Sequence, residues 1–149
     1  MFGVRPVRAE MEDKMKENVL KVVKVSPMKA PVTCFIENTL EAKQKLVGGN
    51  ITELYPFEEG VAFIGNENVA NNGGVANRVL FCEEEDSTIL LGDFFICGVD
   101  DVYYTSLSDD LAAKYMEMFK YPEHIYRVGE KIYMERIGSK QAPMYIGDM

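Results

Sequence analysis

Asn38-Thr39-Leu40-Glu41-Ala42-Lys43-Gln44-Lys45-Leu46-Val47-Gly48-Gly49 is the stretch of this 149-residue chain that decides how its fold is read. Asn38 can cap a helix, and Glu41 three residues on completes the spacing of a capping box. Leu40 and Val47 are seven apart and share one stripe, with Leu46 beside them, so the helix predicted over Asn38–Val47 packs on one side only. Gly48-Gly49 supplies the left-handed stop. On both sides of this helix the pattern changes to short apolar runs. Upstream, Val19–Val25 and Val32–Glu37 read as strands, with Pro27 and Pro31 bracketing their connection. Downstream, Ile51–Tyr55 and Val61–Ile64 read as strands joined by Pro56-Phe57-Glu58-Glu59-Gly60, a hairpin-length loop containing glycine. Val61–Ile64 is apolar on both faces, which places it centrally in the sheet.

Asn66 to Asn77 holds five asparagines and Gly73-Gly74, residues that favour turns over ladders, and reads as an irregular loop. A short element over Arg78–Cys82 follows, then an acidic turn at Glu83–Asp86. Thr88–Leu91, Phe94–Val99 and Val102–Thr105 are strands, the last two joined at Asp100-Asp101. Ser106 or Ser108 caps a second helix, with Asp109 and Asp110 in the first turn where the helix dipole favours negative charge. Leu111, Ala112, Tyr115, Met118 and Phe119 form its apolar face. Beyond Pro122, Ile125–Val128 and Lys131–Arg136 make a hairpin about Gly129-Glu130, and Gly138–Met149 reads as a loose tail. The prediction is an α+β fold, a mostly antiparallel sheet with two short helices packed on it. Residues 1–18 form an N-terminal preface, 19–120 the core domain, and 121–149 the C-terminal hairpin and tail.

Charge is the most uneven property of the chain. The net charge is −8, yet residues 1–29 carry seven Lys and Arg against four acids, a net of +3, so the other 120 residues sum to −11. Between Lys45 and Lys114 Arg78 is the only cation against thirteen acids. Such a field repels nucleic acid and anionic membrane, and no basic stripe is present for direct nucleic-acid binding. The longest apolar run, Ile89–Val99, is broken by Asp93 and too short to cross a bilayer. Cys34, Cys82 and Cys97 are far apart in sequence and read as buried free thiols in a reducing cytoplasm. No phosphate loop, nucleophile elbow, dinucleotide fingerprint or metal-ligand spacing is present, and His124 is the only histidine. The reading leans away from an enzyme: no catalytic residue, metal ligand or cofactor is assigned.

Two constellations remain. In the first, Asn66, Asn77, Arg78 and Asp93 could bind a small ligand, since asparagines donate and accept and Arg78 offers a planar fork. The plainer alternative is that Arg78 pairs with a nearby acid such as Asp93 and holds the loop. In the second, Glu83, Glu84, Glu85, Asp86, Asp100 and Asp101 would meet a basic protein partner, the plainer alternative being solubility. Edge-to-edge self-association through the hairpin Ile125–Arg136 is a further option.

Several motifs share their order and spacing with one family. They are Ile36-Glu37-Asn38-Thr39-Leu40-Glu41-Ala42, Leu46-Val47-Gly48-Gly49, Ile51-Thr52-Glu53, Asn66-Glu67, Asn77-Arg78, Gly92-Asp93-Phe94 and Thr105-Ser106-Leu107-Ser108-Asp109. The series, from about Val19 to Phe119, resembles the family called domain of unknown function 3846. The family often has a proline shortly before its Asn-Arg pair, where this chain reads Gly74-Val75-Ala76. The resemblance implies a setting in bacteria and their phages, plasmids and other mobile elements, and brings no established activity. The expectation is therefore a non-enzymatic accessory interaction protein of a phage or mobile element, in the cytoplasm of the bacterial host, binding a basic protein partner. A small-ligand binder or enzyme using the Asn66–Asp93 region is the alternative.

Overall fold

The computed structural model describes residues 17–71, 73–82 and 87–149. The predicted preface up to Lys16 and the acidic turn Glu83–Asp86 lie outside the described residues. In chain order the elements are β1 (Val19–Val25), β2 (Val32–Glu37), α1 (Leu40–Val47), β3 (Ile51–Leu54), β4 (Val61–Asn66), β5 (Ala76–Leu80) and β6 (Thr88–Leu91). They continue with β7 (Phe94–Asp100), β8 (Tyr103–Thr105), α2 (Asp109–Met118), β9 (Glu123–Val128), β10 (Lys131–Arg136) and β11 (Met144–Asp148). The fold is α+β and dominated by antiparallel sheet.

The main sheet has the order β2-β1-β7-β4-β3, with β8 also paired to β7. The central strand is therefore β7 rather than β4, although Val61–Ile64 is buried throughout as its two-sided apolarity predicts. β7 shares one of its edges between two neighbours. Phe94–Ile96 pair with Val23–Val25, and Gly98–Asp100 pair with Tyr103–Thr105. The chain leaving β8 then runs along β1: Leu107 N donates to Lys21 O at 2.9 Å and Lys21 N donates to Ser106 Oγ at 2.8 Å. β5–β6 and β9–β10–β11 form two smaller sheets.

Alternation along the strands sends side chains to two cores. Leu20, Val22, Ala62, Ile64, Phe95 and Cys97 pack with Val47 of α1 on one face. Val23, Val25, Val61, Phe63, Phe94 and Ile96 pack on the other with Leu80 of β5 and Ala112, Tyr115 and Phe119 from α2 and its end. Phe63 anchors the second core, with its ring centroid 5.8 Å from Phe94, 5.6 Å from Tyr115 and 6.0 Å from Phe119. Such offset and edge contacts add to area burial in holding a core.

The helix ends refine the expected caps. Thr39, not Asn38, is the N-cap of α1, its hydroxyl accepting from Ala42 N at 3.1 Å. Asn38 instead accepts from Lys43 Nζ at 2.7 Å. Gly48 stops the helix at φ 85°, its N–H donating to Gln44 O. Ser108 caps α2, while Ser106 serves β1. The loose tail is corrected: Met144–Asp148 adds a third strand to the hairpin. β10 thus has both edges occupied, so the hairpin cannot self-associate through that strand.

Gly98 marks the tightest approach in the sheet. A Cβ there would lie 2.4 Å from Thr105 Oγ1 and 2.8 Å from Ser106 O, whereas nothing lies within 4 Å of one at Gly65. Gly98→Ala is expected to lower unfolding stability by about 1–3 kcal/mol through overpacking, and Gly65→Ala to change it by less than about 1 kcal/mol. Urea denaturation of both variants checks this.

Candidate binding site

Of the four residues expected to form a ligand site, Asn77 and Arg78 are bonded side chain to side chain, whereas the Asn66 side chain stands apart from them. Asn66 stands on the α1 face, where its side chain donates to Val47 O at 3.3 Å and accepts from Asn68 N at 2.8 Å. Asn77 is fully buried on the opposite side, donating to Val25 O at 3.0 Å and Gly92 O at 2.7 Å. Asp93 is half-buried in the turn before β7.

Arg78 is 0% exposed. Its Nη1 donates to Asn77 O at 3.2 Å and Asn77 Oδ1 at 2.9 Å. Nη2 donates to Lys29 O at 2.7 Å and Phe119 O at 2.9 Å. Nε has no partner. Among the described residues no carboxylate forms an ion pair with it, so the expected pairing with Asp93 is replaced by carbonyls. Burial pulls the Arg78 pKa down, opposed by the charge of Glu123. α2 has no basic residue in its last turn. Arg78 brings a cation to the negative end of that helix from another part of the chain. It ties the β1–β2 connection, β5 and the end of α2 together.

Sequence reasoning did not single out Glu123. It is 3% exposed, accepts from Val79 N at 2.7 Å and pairs with Arg136 Nε at 3.4 Å. A glutamate directly after a helix-ending proline carries no local signal of burial.

Lys43, on the α1 face, is also buried, at 3% exposure. Besides Asn38, its amine donates to Thr39 O at 3.4 Å and stands 4.7 Å from the Tyr104 ring centroid. Burial lowers its pKa, and burial pushes the neighbouring Cys97 thiol up to about 12. A thiol held protonated and an amine with its donors already engaged describe packing rather than a nucleophile. All three cysteines are free; Cys97 is buried as expected, while Cys34 and Cys82 are only half-buried. His124 is exposed and stacks on Tyr126 at 5.1 Å.

A cleft of about 760 Å³ opens elsewhere, lined among others by Tyr55, Phe57, Glu58, Glu59, Cys82 and Lys114. Val99 N donates to Gly60 O at 2.8 Å, which holds the loop carrying Glu58 and Glu59 beside the end of β7. Asp100 and Asp101 follow there, exposed, with Asp101 at φ 58° in the turn. The Glu59 carboxylate accepts from Lys114 Nζ at 2.9 and 2.7 Å and from the Tyr115 hydroxyl. Lys114 first, then Tyr115, holds the Glu59 pKa below the ordinary value of 4.5. Burial, and then the Glu59 bond, push the Tyr115 hydroxyl upward. Lys114 Nζ lies 5.7 Å from the Phe57 ring centroid and 5.6 Å from that of Tyr115. This corner therefore holds an ammonium against a carboxylate and the Phe57 ring, with the fully buried Tyr115 behind them.

Arg78→Leu is expected to lower stability by about 3 kcal/mol or more, because several buried acceptors lose a charged donor together. Arg78→Lys should lose part of it, since an ammonium cannot reproduce the fork. Guanidinium denaturation compares the two. A depressed carboxylate pKa contributes stability above its unfolded value and loses it as pH falls through the folded one. Thermal unfolding followed downward from pH 4.5 should therefore fall less steeply in Glu59→Gln than in the parent.

Among the described residues no helix is long and apolar enough to cross a membrane. No curated protein and no solved structure matches the chain. One family model does, across residues 20–120. That span takes in both core layers, the Asn77-Arg78 pair and every described residue of the cleft lining, and by it the chain belongs to the family described as Domain of unknown function (DUF3846).

Proposed function

We propose that this protein is a non-enzymatic accessory interaction protein of a phage or mobile element, acting in the bacterial cytoplasm, and that its acidic surface binds a basic protein partner. The observation that carries the reading is the bond between Val99 N and Gly60 O. It brings Glu58, on the loop before β4, to the same end of the sheet as Asp100 and Asp101. Exposed Leu54, at the end of β3, and Tyr55 and Val102, on the adjoining connections, are 41%, 57% and 80% exposed. A surface mixing carboxylates with apolar side chains suits a partner segment rich in lysine or arginine and interspersed with apolar residues. Glu83–Asp86 stand in the sequence between Cys82 and Thr88, which both line the cleft. Burial of Arg78 strengthens the argument. The one cation between Lys45 and Lys114 leaves no positive side chain from that segment on the surface.

The setting in phages or mobile elements rests on the resemblance noted in the sequence. The small-ligand alternative at Asn66, Asn77, Arg78 and Asp93 has less support, because a guanidinium at 0% exposure meets a ligand only after local opening. Pull-down from bacterial lysate, at low and high salt, tests the proposal. The parent should retain a basic protein that high salt releases, and Asp100→Asn/Asp101→Asn should retain several-fold less of it. Equal recovery by the double variant would overturn the assignment of this surface.

A further inference from the structure

The cleft beside this acidic end already contains a model of its own ligand. Lys114 reaches in from the exposed side of α2 and sets its ammonium against Glu59, Phe57 and Tyr115. Its side chain remains 47% exposed, while that of Glu59 is 27% exposed. An exposed ion pair and cation–π contact of this kind together hold their lysine by about a factor of ten, so the Lys114 side chain can be displaced into water at a modest cost. The carboxylate would keep its orientation without Lys114, because the Tyr115 hydroxyl also donates to it. The space is large for one resident side chain, at about 760 Å³, within the range of ligand pockets. Among the described residues its charged lining is Glu58, Glu59 and Lys114, so once Lys114 leaves, the described lining carries only negative charge.

We propose that the Glu59–Phe57–Tyr115 corner is a receptor for a lysine side chain of the basic partner, and that Lys114 is a resident stand-in which the incoming ammonium displaces. This rests on the proposed binding of a basic partner and assigns the anchoring pocket within it. Two features favour lysine as the occupant: an ammonium already sits there, and the surrounding surface complements positive charge. Lys114 thereby weakens binding of the partner, because the incoming lysine must compete with a tethered cation at high local concentration.

Hexalysine is the probe, titrated calorimetrically at low salt into the parent and four variants whose folding is checked by circular dichroism. Lys114→Met should tighten binding about tenfold, the equivalent of one ion-pair and cation–π contact freed from competition. Lys120→Met is the control. It removes the same unit of charge just beyond the C-terminal end of the helix, where among the described residues Lys120 pairs with Glu117 at 3.8 Å and lies 5.2 Å from the Tyr121 ring. It should tighten binding by less than about twofold, the long-range share. Glu59→Gln added to Lys114→Met should abolish the gain, and Asp100→Asn/Asp101→Asn should weaken binding with Lys114 in place. If Lys114→Met and Lys120→Met give the same change, the pocket is overturned while the acidic-surface reading stands. If Lys114→Met tightens binding but the aspartate variant does not weaken it, the pocket stands and that surface falls. No heat with any variant overturns both.

Discussion

One buried guanidinium organises this fold. Arg78 donates to carbonyls at Lys29 and Phe119, separated from it by 49 and 41 positions in the chain, and to Asn77 beside it. Desolvating a guanidinium is costly, and here the cost is met by dipoles rather than by an opposing carboxylate. Two of those dipoles belong to chain segments that would otherwise end with unsatisfied oxygens: the β1–β2 connection and the last turn of α2. Holding the end of α2 fixes Phe119 and, one turn back, Tyr115 against Phe63. Tyr115 in turn orients Glu59. The buried polar knot and the open cleft are thus linked through one helix.

The negative field expected for the middle of the chain takes a more particular form in three dimensions. Glu58, Glu59, Asp100 and Asp101 gather at one end of the β4–β7 pair, whereas Glu67 and Asp93 stand at the other. Asp109 meets Lys21, a lysine of the basic amino-terminal stretch, and Glu59 meets Lys114. Such exposed pairs contribute little to stability. Glu58, Glu59, Asp100 and Asp101 thus form one group apart from Glu67 and Asp93, and the end carrying Asp100 and Asp101 is the one that adjoins a cleft.

Legibility differed from place to place for identifiable reasons. α1 was readable because cap spacing and a glycine stop are local properties, although its capping residue moved by one position to Thr39. The apolar stripe expected of Leu40 and Val47 did not form: Leu40 is 57% exposed, and Lys43 is buried with Val47 instead. β9 and β10 were readable from their turn, whereas β11 was not. A short Met-Tyr-Ile run gains strand character only when β10 offers it an edge. Arg78 stood out by its isolation among acids, but an arginine does not announce whether it will find carboxylates or carbonyls. The cleft was the least legible feature. Glu59 and Lys114 are 55 positions apart, and each on its own reads as ordinary surface charge.

Periodicity, caps and turn residues, which act within a few neighbours, were enough to establish an α+β chain with two helices on antiparallel strands and a charge imbalance centred between Lys45 and Lys114. Burial of Arg78 and Glu123, the choice of β7 as the central strand, and the meeting of Glu59 with Phe57, Lys114 and Tyr115 were settled only in the folded state. Each of these depends on groups dozens of residues apart. Their desolvation and pairing energies exist only once the layers have packed.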